Sequence, residues 1–251
     1  MAQSSTAVGF GKTTRRDAWW LEIIPVVLVL GAFSAYATWR TFENAYYEFG
    51  PYLSPFYSPH IKPSWWPLSP AVLILWAPLG FRATCYYYRK AYYRAFFLDP
   101  PACAVGESHP HRYTGETRFP FILQNLHRYF LYFALIFLVI LWYDALSAFW
   151  FDSPTGKHFG VGVGSLVLVA NIILLSFYTL SCHSLRHIIG GNVDCFSCVA
   201  AGGARHSAWR GISSINERHM LFAWLSLFSV GLSDLYIRLV ASGSIADLRL
   251  L

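Results

Sequence analysis

Two stretches of the chain each pair a cysteine with a later histidine. In the first, Thr84-Cys85 is followed four residues on by Arg89, and Asn125 stands two residues before His127; in the second, Ser181-Cys182 is followed by Arg186 at the same spacing, and Asn216 stands three before His219. Thiolate and imidazole are transition-metal ligands. Two cysteines on one iron and two histidines on the other make a Rieske-type [2Fe–2S] centre, in which imidazole raises the reduction potential above that of plant-type ferredoxins. Its charge runs from about zero to about minus one, two units less negative than an all-cysteine cluster, which matters wherever uncompensated charge is expensive. The residues compete. His183-x3-His187-x7-Cys195-x2-Cys198 is itself a tetrahedral zinc pattern, Cys103 is a further thiol, and His127 with His219 would serve equally as axial ligands of a b-type haem. Singly, each histidine reads as a hydrogen-bonded interfacial residue.

The elements that must position these groups are membrane helices. Of 251 residues 55% are hydrophobic and 13% charged, and the mean hydropathy is +0.40, against about a quarter charged in soluble domains. Windows at 19–39, 68–88, 129–149, 161–181 and 220–240 are apolar on all faces and long enough to cross a bilayer, which takes about 20 residues. The predicted fold is an all-α integral membrane protein of one domain, 1–251, with five transmembrane helices. The first window holds Glu22 and Pro25 and lacks a cleavage site, so it is read as a retained helix. Fourteen of the 19 Lys and Arg fall on the N-terminal side of such a bundle, which predicts a cytoplasmic N-terminus and an outside C-terminus in the plasma membrane. Nucleic acid is excluded as a partner, since no basic stripe is interleaved with aromatics outside the spans. The cytoplasmic loops, about 89–128 and 182–219, are the docking surface for soluble proteins. All five cysteines lie on that side, where disulfides are not expected. Each repeat then places a cysteine at the end of a descending helix and a histidine at the start of an ascending one, so Cys85, Cys182, His127 and His219 share one depth, as metal ligands in helix bundles do.

At these motifs the chain resembles the membrane-anchor, cytochrome b-like subunit of the actinobacterial type of succinate dehydrogenase, respiratory complex II. The matching strings are TCYYYRK at 84–90, PPACA at 100–104, GETRFP at 115–120, QNLHRY at 124–129, CHSLRH at 182–187 and NERHM at 216–220. The resemblance implies a five-helix anchor that holds a flavoprotein and an iron–sulfur subunit on the cytoplasmic face and passes electrons from succinate, through a Rieske-type cluster, to a membrane quinone, menaquinone or ubiquinone. The chain departs from soluble Rieske proteins in lacking their Cys-x-His and Cys-x-x-His loops. A quinone site must lie beside the cluster and open to lipid. Arg82, three residues before Cys85, and Tyr178, four before Cys182, sit one turn deeper on the same helix faces, and Trp224 could wall the site. Arg82 could alternatively snorkel to the interface; Asp144, Asn171 and Asp234 lie deeper, in a proton path or in helix packing. Two other readings stay open, a b-haem complex II anchor and a non-redox membrane scaffold with structural zinc.

Overall fold

In chain order the elements are α1 (Ile23–Glu43), a hairpin of β1 (Glu48–Phe49) and β2 (Tyr52–Leu53), three short helices α2 (Pro70–Ile74), α3 (Trp76–Thr84) and α4 (Tyr86–Phe96), then α5 (His127–Ser147), a hairpin of β3 (Trp150–Ser153) and β4 (Gly156–Phe159), α6 (Val163–Leu180), α7 (His183–Arg186), α8 (Gly202–Asn216) and α9 (His219–Ala241). The computed structural model describes residues 9–98, 105–106, 119, 121–191 and 193–251; Cys103, His109 and His111 lie outside them. Among the described residues, α1, α5, α6 and α9 are long and apolar enough to cross a membrane, within a few residues of four of the five windows.

The window 68–88 differs. Its helix is interrupted at Leu75 and again at Cys85, and α2 with α3 rises only about 22 Å. Pro78 has no N–H to give to the carbonyl of Ile74, which loosens the ladder at the first break; Cys85 adopts extended backbone at the second.

The chain divides into two compact units, Met1–Thr38 with Arg82–Leu126 and Trp39–Phe81 with His127–Leu251. In the first unit the segment before α1 pairs with the chain after α4: Thr13 bridges Val105, and Gly11 N–H donates to the Gly106 carbonyl at 2.9 Å. In the second unit α6 packs between α5 and α9, around a core of Tyr52, Ala145, Ala148, Phe151, Leu168, Ile172 and Ile237. Gly164 permits a close approach there, because a Cβ on it would meet the ring of Tyr52 at 2.5 Å. Tyr52 O–H and Tyr236 O–H each donate to Asp247 at 2.7 Å, and Asp247 also accepts the N–H of Gly164 at 3.0 Å. A carboxylate thus sits at the positive N-terminus of α6. Burial pushes the Tyr52 phenol up to about 12, assisted by the Asp247 carboxylate against the Ser165 hydrogen bond, so it stays a donor.

The same end of the unit carries a buried ion pair. Asp234 is 0% and Arg238 3% exposed. The Arg238 guanidinium donates to Asp234 Oδ2 at 2.8 Å, to Glu43 Oε2 at 2.7 Å and to the carbonyls of Ala45 and Arg40 at 2.5 and 3.2 Å, and Ser54 O–H donates to the other oxygen of Asp234. Glu43 ends α1 where Asn44 turns left-handed, φ 52°, a conformation Asn tolerates better than most residues. Arg238→Met is expected to destabilise the protein by about 3–5 kcal/mol, because it strands a buried carboxylate, and the double change Asp234→Leu/Arg238→Met to cost less than the single one. Thermal unfolding in detergent measures both; a double variant worse than Arg238→Met alone would refute the stranded-charge account.

Candidate functional site

Cys85 and Cys182 occupy the same backbone situation. Each is the extended residue between two helices, with φ −61°, ψ 130° at Cys85 and φ −63°, ψ 136° at Cys182. Each carbonyl then opens the next helix, accepting from Arg89 N–H at 2.8 Å and Arg186 N–H at 3.1 Å. The carbonyls orphaned before the breaks find side-chain donors: Tyr92 O–H reaches Ala83 at 2.9 Å, and Asn216 Nδ2 reaches Ser181 at 2.6 Å.

One helical turn before each cysteine stands an aromatic residue that braces a histidine. Phe81 stacks on His127, centroids 4.6 Å apart and planes within 10°; Tyr178 stacks on His219 at 5.2 Å and 19°; and Phe81 meets Tyr178 edge-on at 5.5 Å. The repeat therefore has an aromatic member as well as Cys, His and Arg. Sequence reasoning singled out Tyr178 for a quinone and missed Phe81, although its position four before Cys85 matches that of Tyr178 before Cys182.

His127 Nε2 lies 3.1 Å from Cys182 Sγ, so the histidine of one repeat meets the cysteine of the other. His219 Nδ1 lies 2.7 Å from Ser181 Oγ, the residue preceding Cys182. Ser181 O–H points at the Tyr178 carbonyl, 3.1 Å away, leaving its lone pairs to accept Nδ1–H of His219. In that tautomer Nε2 carries the lone pair a metal would take, the indirect support common to ligating histidines. Cys182 is buried and both histidines are half-buried. Arg186 is held away on α8, donating to Ser213 Oγ at 2.8 Å and lying over the Trp209 ring.

Cys85, also buried, belongs to the other compact unit, as does Arg82. Arg82 Nη1 donates to Tyr88 O–H at 2.6 Å. Trp224, half-buried on α9, contacts Phe228. The zinc pattern does not come together: His183 and His187 are exposed, and Cys195 and Cys198, expected as thiols, are joined by a disulfide across a 3-10 turn that brings their Cα atoms to 5.3 Å. Among the described residues no three His, Cys, Asp or Glu side chains form a metal-holding group; the cysteine–histidine contact above is a pair.

The brace on His127 depends on close approach of α3 to α5, since a Cβ on Gly80 would lie 2.3 Å from the Phe130 ring. Glycine to alanine inside a helix normally gains up to about 1 kcal/mol. Here Gly80→Ala is expected to lose about 1–3 kcal/mol through overpacking and to speed acylation of His127 by diethyl pyrocarbonate. Unfolding temperature and peptide mass mapping report the two effects; stabilisation with an unchanged acylation rate would sink the positioning role.

Against known proteins, residues 21–243 match the family described as actinobacterial succinate dehydrogenase subunit SdhC. A chain in the solved structure titled Mycobacterium smegmatis Sdh1 complex in the apo form is 46% identical, with 95% of this chain and 94% of that one covered and a TM-score of 0.84. Comparison with curated proteins finds no match. Similarity over nearly the whole length, in sequence and in fold, leads to one conclusion: the chain belongs to the actinobacterial SdhC family and is a membrane-anchor subunit of succinate dehydrogenase.

Proposed function

We propose that this anchor carries the last electron transfer of succinate:quinone oxidoreduction, with Cys85 and Cys182 holding one iron and His127 and His219 the other iron of a Rieske-type cluster. The observation that supports the reading is that the two repeats, each supplying one thiol and one imidazole, bring His127 of the first beside Cys182 of the second; a bound cluster would have to part this direct contact to place the two on different irons. When bound, such a cluster supplies one-electron transfer at a potential raised by its imidazole ligands. The chain's own part is orientation and shielding. Phe81 and Tyr178 set the planes of the two imidazoles, Ser181 selects the His219 tautomer, and the helix break presents Cys182 at the end of α6.

In this reading the protein crosses the plasma membrane five times, with α2 and α3 as the short second span, a cytoplasmic N-terminus and an outside C-terminus. The flavoprotein and iron–sulfur subunits dock on the cytoplasmic loops at 89–128 and 182–219. Menaquinone or ubiquinone binds near Arg82, Tyr178 and Trp224. Arg82, tethered by Tyr88, holds the quinone oxygen that gains negative charge, and Tyr178 and Trp224 contribute an aromatic wall.

Changing His127 and His219 together to Ala is expected to abolish quinone reduction while the complex still oxidises succinate with an artificial acceptor. A double variant that keeps both its quinone activity and the paramagnetic resonance signal of a reduced [2Fe–2S] centre would remove these residues from the ligand set. Arg82→Leu is expected to slow quinone reduction by roughly one to two decades, the loss of a charge-assisted hydrogen bond of about 1.5–3 kcal/mol, with the same signal intact. Normal turnover would assign Arg82 to the membrane interface instead.

A further inference from the structure

The first compact unit contains a cavity of about 320 Å³ lined by none of the residues assigned above to the cluster or the quinone. Its walls are the first turns of α1 (Ile23, Val27 and Leu28), the preceding Trp19 and Trp20, the end of α4 and the strand-like segment at Val105. Among the described residues one charged side chain lines it, Arg94 in the last turn of α4. Beyond Arg94, Leu98 adopts φ 57°, a left-handed conformation that costs a non-glycine residue about 1–2 kcal/mol, and it too lines the cavity.

The lining decides what can occupy it. Trp20 and Leu28 remain 50% and 65% exposed, so the cavity is open along the start of a membrane-spanning helix, at the level where tryptophans gather between hydrocarbon and water. Water in an apolar site lacks the two to four polar partners it needs. A hydrocarbon chain loses nothing there. Arg94 then selects the headgroup: a guanidinium matches the paired oxygens of a phosphate, and with five N–H donors it can bind one while keeping a protein contact. The segment entering the cavity adds charge of the same sign at Lys12 and Arg16, whereas the exposed Arg15 is paired with Asp17. We propose that this cavity is a binding site for one anionic phospholipid, an acyl chain lying against α1 and the phosphate on Arg94.

The test uses the intact succinate dehydrogenase complex, exchanged in detergent into equal amounts of phosphatidylglycerol and phosphatidylcholine, with retained lipid counted by native mass spectrometry. The wild-type complex should keep the anionic lipid in preference by roughly fivefold, the scale set by one basic residue at a membrane surface. Arg94→Gln should bring the ratio close to one, and Ala95→Trp, which fills the cavity, should release about one lipid per chain whatever its headgroup. Val27→Phe serves the same purpose should Ala95→Trp fail to assemble, with succinate oxidation by an artificial acceptor as the check on assembly. Equal lipid counts in the filled and wild-type complexes would mean that protein occupies the cavity, and loss of a quinone in place of a phospholipid would mean that the occupant has been misidentified; either result overturns the proposal, as would an undiminished anionic preference in Arg94→Gln.

Discussion

Arg238 is the interaction on which the second unit depends. A guanidinium that is 3% exposed and cannot deprotonate must be given acceptors, and it takes them from three places at once: Asp234 on its own helix, Glu43 at the end of α1, and the backbone at Arg40 and Ala45. The bonds are directional, so they fix the roll of α9 as well as its depth. A helix rolled by one residue would carry Arg238 away from Glu43, and would equally turn His219, at the other end of α9, away from Ser181. The ion pair near one end of α9 and the histidine at the other are thus set by a single rigid element, and α6 with its C-cap, packed along α9, supplies Tyr178 and Ser181 as the partners of that histidine.

The two cysteine breaks carry a different constraint. Interrupting a helix in or near hydrocarbon exposes backbone groups that only protein can satisfy. Both breaks meet this in the same manner, with a side chain reaching a carbonyl just before the cysteine and the cysteine carbonyl starting the following helix. Each break turns a thiol out of the helical path while a side chain takes up a carbonyl that the interrupted ladder leaves behind. The aromatic residue one turn earlier remains inside the helix and holds the imidazole. Local geometry of this kind explains how two stretches with little overall similarity present the same set of groups.

Much of this organisation is legible in the residues themselves. Four spans stand within a few residues of their hydrophobic windows, because length and apolarity act on each helix alone, in any bundle. The pairing of one cysteine with one histidine in each repeat also follows from local order in the chain. What had to come from the folded molecule depends on groups far apart in sequence. That His127 meets the cysteine of the other repeat, that Phe81 braces it, that Cys195 and Cys198 join each other instead of His183 and His187, and that Asp234 serves an ion pair are outcomes of helix roll and helix interruption. Window hydropathy cannot report roll, since it averages over all faces of a helix, and it passes smoothly over Leu75 and Cys85, where the ladder breaks. The sequence by itself determined that the chain enters the membrane and which residues could ligate a metal; tertiary structure decided which of them touch, because contact is set by the few buried hydrogen bonds and close packings that lock one helix against the next.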